Sequence, residues 1–208
     1  MDFTPVADYL GALDYLGLFL CALWGAYCCL IIWRRVAVLC FKNEDEQDAY
    51  LDEVQRFVSE GNDAELAEFC EDDPRAVPML VSLALKKRSF PVSKMKLYLI
   101  ERFQRDILAE LDYRVTWVGT IIKAAPMLGL FGTVIGMMGA FSKLSTATEV
   151  SPDKLAGDIM FSLITTAMGL SIAIPLVLAM ASITNRLGKL EDLAGAALAR
   201  VADIFGRK

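Results

Sequence analysis

Hydrophobic and polar positions along this chain are gathered into long blocks rather than interleaved. Residues 15–33 (YLGLFLCALWGAYCCLIIW) carry no charge, residues 115–141 carry only Lys123, and residues 159–183 carry none. At about 1.5 Å rise per residue, a helix of roughly 20 residues matches the hydrocarbon thickness of a bilayer. Each block predicts a membrane-crossing helix, because lipid offers no partner for open backbone groups. Residues 34–114 have a different pattern. Leu51, Val54, Phe57 and Val58 recur at helical spacing, as do Ile100, Phe103, Ile107 and Leu111. Asp73-Pro74 and Phe90-Pro91 predict breaks between those helices. The expectation is an all-α integral membrane protein with three transmembrane helices, a helical domain over 34–114 and a helical tail over 184–208.

Charge orients this frame. Arg34 and Arg35 close the first span, and Lys86, Lys87, Arg88, Lys94, Lys96, Arg102 and Arg105 follow in the long loop. Arg186, Lys189, Arg200, Arg207 and Lys208 lie in the tail. The connection over 142–158 offers only Lys143 and Lys154, and residues 1–14 offer no Lys or Arg. The positive-inside rule predicts an external N-terminus and external 142–158 connection, with the long loop and the tail in the cytoplasm. Residues 1–14 hold Asp2, Asp8 and Asp14 and lack the basic start of a signal peptide, so they read as mature protein. The acidic run over 44–53 reads as a solvated face.

Composition narrows the chemistry. Of 208 residues 55% are hydrophobic, too many for an ordinary soluble domain. A net charge of −5 without a basic stripe argues against nucleic-acid binding. Histidine is absent, and Cys21, Cys28, Cys29, Cys40 and Cys70 have no metal-ligand spacing. Nothing in the sequence calls for a metal or cofactor. With no nucleophile constellation or phosphate cradle, enzymatic hydrolysis is not expected.

The second and third spans each carry a small, weakly polar seam. On a wheel of about 100° per residue, Gly129, Gly132, Gly136, Gly139 and Ala140 share one arc with Thr133 at its edge. On the third span Asp158, Ser162, Thr165, Gly169 and Ala173 cluster around Thr166. Small residues let helices approach closely, and Pro126 and Pro175 are the kink positions of the packing set. Polar groups in a bilayer face a protein interior or a water-filled path. Thr133, Ser162, Thr165, Thr166 and Asp158 are therefore the candidate ion path, and threonines suit a proton or hydrated cation. Asp158 stands about 12 Å outward of Thr166. Capping of the third helix is its plainer role, and interfacial snorkelling is that of Lys123. A seam with no internal carboxylate does not readily pass protons alone, so the titratable group is expected from another chain.

The run APMLGLFGTVIGM from Ala125 to Met137 resembles the second-span signature of ExbB and TolQ. LITTAMGL from Leu163 to Leu170, continued through Ala173, Ile174 and Pro175, resembles their third-span signature. The chain is thus identified as similar to the MotA/TolQ/ExbB proton channel family over roughly residues 115–187. The resemblance implies a bacterial inner-membrane protein with its N-terminus in the periplasm. It also implies five such subunits around a dimer of ExbD- or TolR-like single-span partners, whose membrane aspartate takes up the ion. Threonines at the positions of Thr133 and Thr166 would line that interface. Ion flow would drive a TonB- or TolA-like periplasmic effector. In one respect the chain departs from the pattern: Phe161 stands where the family commonly has glutamate, and Asp158 is the candidate substitute. A non-conducting scaffold, which Phe161 favours, and a motility-type stator are the alternatives. Three spans argue against four-span MotA, and the lack of a repeat argues against a lone carrier.

Overall fold

The structure, a computed structural model, describes the backbone of residues 4–146 and 152–206. It describes the side chains of that range except at positions 4–8, 143, 146, 152, 154, 155, 158 and 161. Every regular element in it is helical: α1 (Thr4–Leu39), α2 (Glu44–Glu60), α3 (Asp63–Glu71), α4 (Ala76–Lys86), α5 (Val92–Phe103), α6 (Ala109–Thr146) and α7 (Pro152–Gly206). A single π-turn, Gln104–Leu108, joins α5 to α6 without a break. Among the described residues, three stretches are long and apolar enough to cross a membrane: Tyr9–Leu39, Val92–Ser142 and Ser162–Gly206.

Two compact units divide the chain. The first comprises Met1–Leu30 and Arg114–Ala181. Its interior is thin and built largely of small or β-branched residues. Leu18 and Cys28 are buried from α1, Val118, Ile121, Ala125, Ile135 and Ala140 from α6, and Ala173 and Leu176 from α7. Its outside is as apolar as its inside. Phe19, Leu20, Leu130, Phe131, Met138, Leu163, Ile174 and Leu178 are all exposed. A predominantly apolar exterior of this kind would aggregate in water and suits lipid or neighbouring protein.

The second unit comprises Ile31–Tyr113 and Ser182–Lys208. It has the opposite polarity, with an apolar centre and a charged exterior. Leu51 and Val54 (α2), Leu66 (α3), Leu80 and Val81 (α4), Met95 and Leu99 (α5), and Leu190, Ala197 and Val201 (α7) fill its core. The helices stop where the sequence breaks them. α3 ends and α4 begins on either side of Asp73-Pro74, and α4 and α5 flank Phe90-Pro91. Gly61 caps α2 in the left-handed conformation, φ 76°, which costs glycine little. The acidic face of α2 is only partly left to solvent. Arg200 pairs with Asp48 at 2.9 Å and also with Asp52, and Arg75 pairs with Glu46 at 2.8 Å. Gln47 is buried and donates its amide to the Leu193 carbonyl at 3.0 Å.

The residues at helical spacing differ in burial: Phe103, Ile107 and Leu111 are buried, while Ile100 is 41% exposed and Leu99 takes the inner position. The π-turn is the reason. Steps of four residues drift by about 40° each in an α-helix, and one extra residue in the turn cancels the accumulated drift. Leu99, Phe103, Ile107 and Leu111 therefore stay in line.

Candidate functional site

The seam of the first unit is assembled where glycines of α6 and α7 let the two helices approach closely. A methyl group at Gly129 would stand 2.6 Å from the Thr165 carbonyl oxygen. One at Gly136 would stand 2.5 Å from the Ser162 Cβ, and one at Gly169 would stand 2.5 Å from the Ala125 carbonyl oxygen. Only glycine allows backbones this close. Gly129, Gly132, Gly136 and Gly169 thus form one contact line, and Gly139 is buried. Pro126 is half-buried within α6, while Pro175 sits on an exposed face of α7, away from that line.

This close approach brings the polar residues together. Thr165 is 3% exposed and Ser162 2%. Thr165 Oγ1 lies 3.0 Å from the Gly129 carbonyl oxygen across the helix pair and 2.7 Å from the Ser162 carbonyl oxygen. Thr166 Oγ1 donates to the same Gly129 carbonyl at 3.0 Å. Ser162 bonds back to Ile159 at 2.8 Å. Thr133 is half-buried and its hydroxyl is turned to the Leu130 carbonyl of its own helix, at 2.6 Å. Of the predicted path, Ser162, Thr165 and Thr166 therefore meet at the seam, and Thr133 stands at its border. The side chains of Asp158 and Phe161 lie outside the described residues.

The site contains one residue that the sequence reading placed outside it. Asp14 is part of α1, not of a segment preceding it, and its side chain is 3% exposed. A methyl group at Gly132 would meet Asp14 Oδ2 and would lie 2.7 Å from Thr165 Oγ1, so both oxygens border the same small space. The expectation that this chain has no carboxylate at the seam is thereby corrected. A signal was available. Asp14, Leu18, Gly25 and Cys28 follow one another at intervals of four, seven and three, and all four are buried. Asp14 sits in register with a helix stripe, but the charge-free run beginning at Tyr15 concealed it.

The fold and site together define a multi-pass helical membrane protein with a polar seam in its spans. A family model described as the MotA/TolQ/ExbB proton channel family matches residues 82–194. The chain belongs to that family. TolQ of the Tol-Pal system from Haemophilus influenzae is 39% identical over 85 residues, covering 41% of this chain and 37% of its own length. The biopolymer transport protein ExbB of Neisseria gonorrhoeae is 35% identical over 92 residues, covering 44% and 42% respectively. ExbB of Xanthomonas campestris pv. campestris is 41% identical over 70 residues, covering 34% and 28%. The matches span about two fifths or less of the length of these relatives.

Proposed function

We propose that this chain is a subunit of an ion-driven motor in the bacterial inner membrane, with its N-terminus in the periplasm. It works as a homopentamer around a dimer of ExbD- or TolR-like single-span partners. Ion flow through the assembly, driven by the proton motive force, energises a TonB- or TolA-like effector for outer-membrane transport or envelope work. The observation that carries this reading is the group of buried hydroxyls, Ser162, Thr165 and Thr166, in helices otherwise fit for lipid. Polar groups in such surroundings mark substrate or ion paths. The names of the relatives, a Tol-Pal system protein and biopolymer transport proteins, support the choice of partner and effector class.

A second reading rests on the same hydroxyls. Each of those on Thr133, Ser162, Thr165 and Thr166 is within bonding distance of a backbone carbonyl, so the seam also serves as packing in a non-conducting scaffold. Reconstitution separates the two. The chain is placed in vesicles alone, then with a one-span protein encoded beside it, and ion entry is followed under an imposed gradient. The motor predicts flux only when both proteins are present. An intact complex with no flux under proton or sodium gradients would leave the scaffold.

A further inference from the structure

Asp14 has a property that packing does not explain. Both of its carboxylate oxygens are buried, and neither has a hydrogen-bond partner among the described residues. A buried carboxylate without donors is among the costliest arrangements in a protein, and it is retained where something else completes it. The nearby hydroxyl does not. Thr165 lies within bonding distance of two backbone carbonyls, Gly129 and Ser162, so its proton is directed to them. Thr165 therefore meets Asp14 as an oxygen with its own proton committed, and both oxygens crowd the position that a Gly132 Cβ would take.

Two acceptors facing one space call for a positive species between them. No described cationic side chain supplies it, because Lys123 on α6 is exposed. The other titratable groups within seven residues of Asp14, Gly132 or Thr165 on their own helices are Tyr15, adjacent on α1, the exposed Tyr9, the half-buried Cys21, and Asp8 and Asp158, whose side chains lie outside the described residues. Asp14 offers carboxylate oxygens and Thr165 a hydroxyl oxygen, hard donors that suit a proton or a hard cation.

We propose that Asp14 is a cation-binding carboxylate which this chain supplies itself, taking up a proton or a sodium ion in the space it shares with Thr165 and Gly132. This rests on the conducting reading above and extends it. The path then has an acidic station in this subunit as well as the one expected from the partner. Uptake adds the cation to a carboxylate oxygen and release removes it, with no other bond changed.

The test uses the whole complex of this chain and its one-span partner in vesicles. A proton gradient is imposed with a pH dye inside, and a sodium gradient is imposed separately at equal pH on both sides. Asp14→Asn keeps the shape and removes the charge. It is expected to assemble and to reduce flux of the carried ion at least tenfold, with Asp14→Glu recovering a measurable part. Wild-type flux in Asp14→Asn would overturn the proposal. A second measurement leaves the chain unmutated. Dicyclohexylcarbodiimide modifies carboxyls that carry a proton in apolar surroundings, and peptide mass identifies the site. Asp14 is expected to be modified, with flux falling in step, and external sodium to protect it where sodium is the ion. A complex that conducts while Asp14 stays unmodified at every pH and sodium concentration would contradict it. Should the wild-type complex carry neither ion, the conducting reading fails. Modification of Asp14, suppressed by raised pH or by sodium, then still decides whether it binds a cation.

Discussion

Thr165 and Thr166 share one acceptor, the Gly129 carbonyl, and this gives the two hydroxyls different consequences. Thr165 is fully inside the helix pair, so Thr165→Val removes a buried interhelical bond. Such bonds in membranes contribute about 0.6 kcal/mol on average, up to about 1.7. A loss of about 1 kcal/mol is expected, read as a lower unfolding temperature of the detergent-solubilised complex. A second prediction lies in the other unit. Arg75 holds the Asp73 carboxyl below its ordinary range, chiefly through their side-chain hydrogen bonds, and stacks 3.9 Å over the Phe41 ring. A depressed carboxyl contributes stability above its unfolded value, near pH 4, and loses it as pH falls through the folded value. Asp73→Asn should therefore lower the unfolding temperature at pH 7, with the gap closing as the pH drops below about 4. A gap that persisted unchanged at pH 3 would remove the ion pair as its cause. At this scale the sequence was legible for Ser162, Thr165 and Thr166, because hydroxyls inside an apolar run stand out. Asp14 was not legible. A charge at the edge of an apolar run looks like a boundary, and only the packing of α1 beside Gly132 turns it inward.

The helices themselves were read well where composition alone sets them. A charge-free block must be helical in lipid, and Asp73-Pro74 and Phe90-Pro91 interrupt their surroundings for steric reasons that hold in any context. The spacing of Ile100, Phe103, Ile107 and Leu111 marked a helix, but it did not reveal the π-turn within it. The small-residue line predicts contrasting effects for one type of change. Gly129→Ala and Gly169→Ala would each drive a methyl group into backbone, and α6 and α7 would have to separate. Both should reduce the yield of assembled complex in mild detergent by several-fold. Gly188→Ala meets nothing within 4 Å, and it should raise the unfolding temperature through helix propensity, by up to about 1 kcal/mol. Equal behaviour of the three variants would mean that the seam is not a packing line.

At the scale of the molecule, one unit is mostly apolar at its surface and holds a few buried polar groups, and the other is apolar within and charged at its surface. That contrast was visible in the sequence as blocks against periodicity, because the same physics of solvation writes both. The central claim is that the hydroxyl seam between α6 and α7 carries ions when the partner is present. The most direct measurement is ion flux through vesicles holding the two-protein complex, comparing wild type with Thr166→Val, which keeps the shape and removes one hydroxyl. A fall of at least several-fold, at unchanged complex yield and only where the partner is present, is the predicted result. Undiminished flux in that variant would contradict the account.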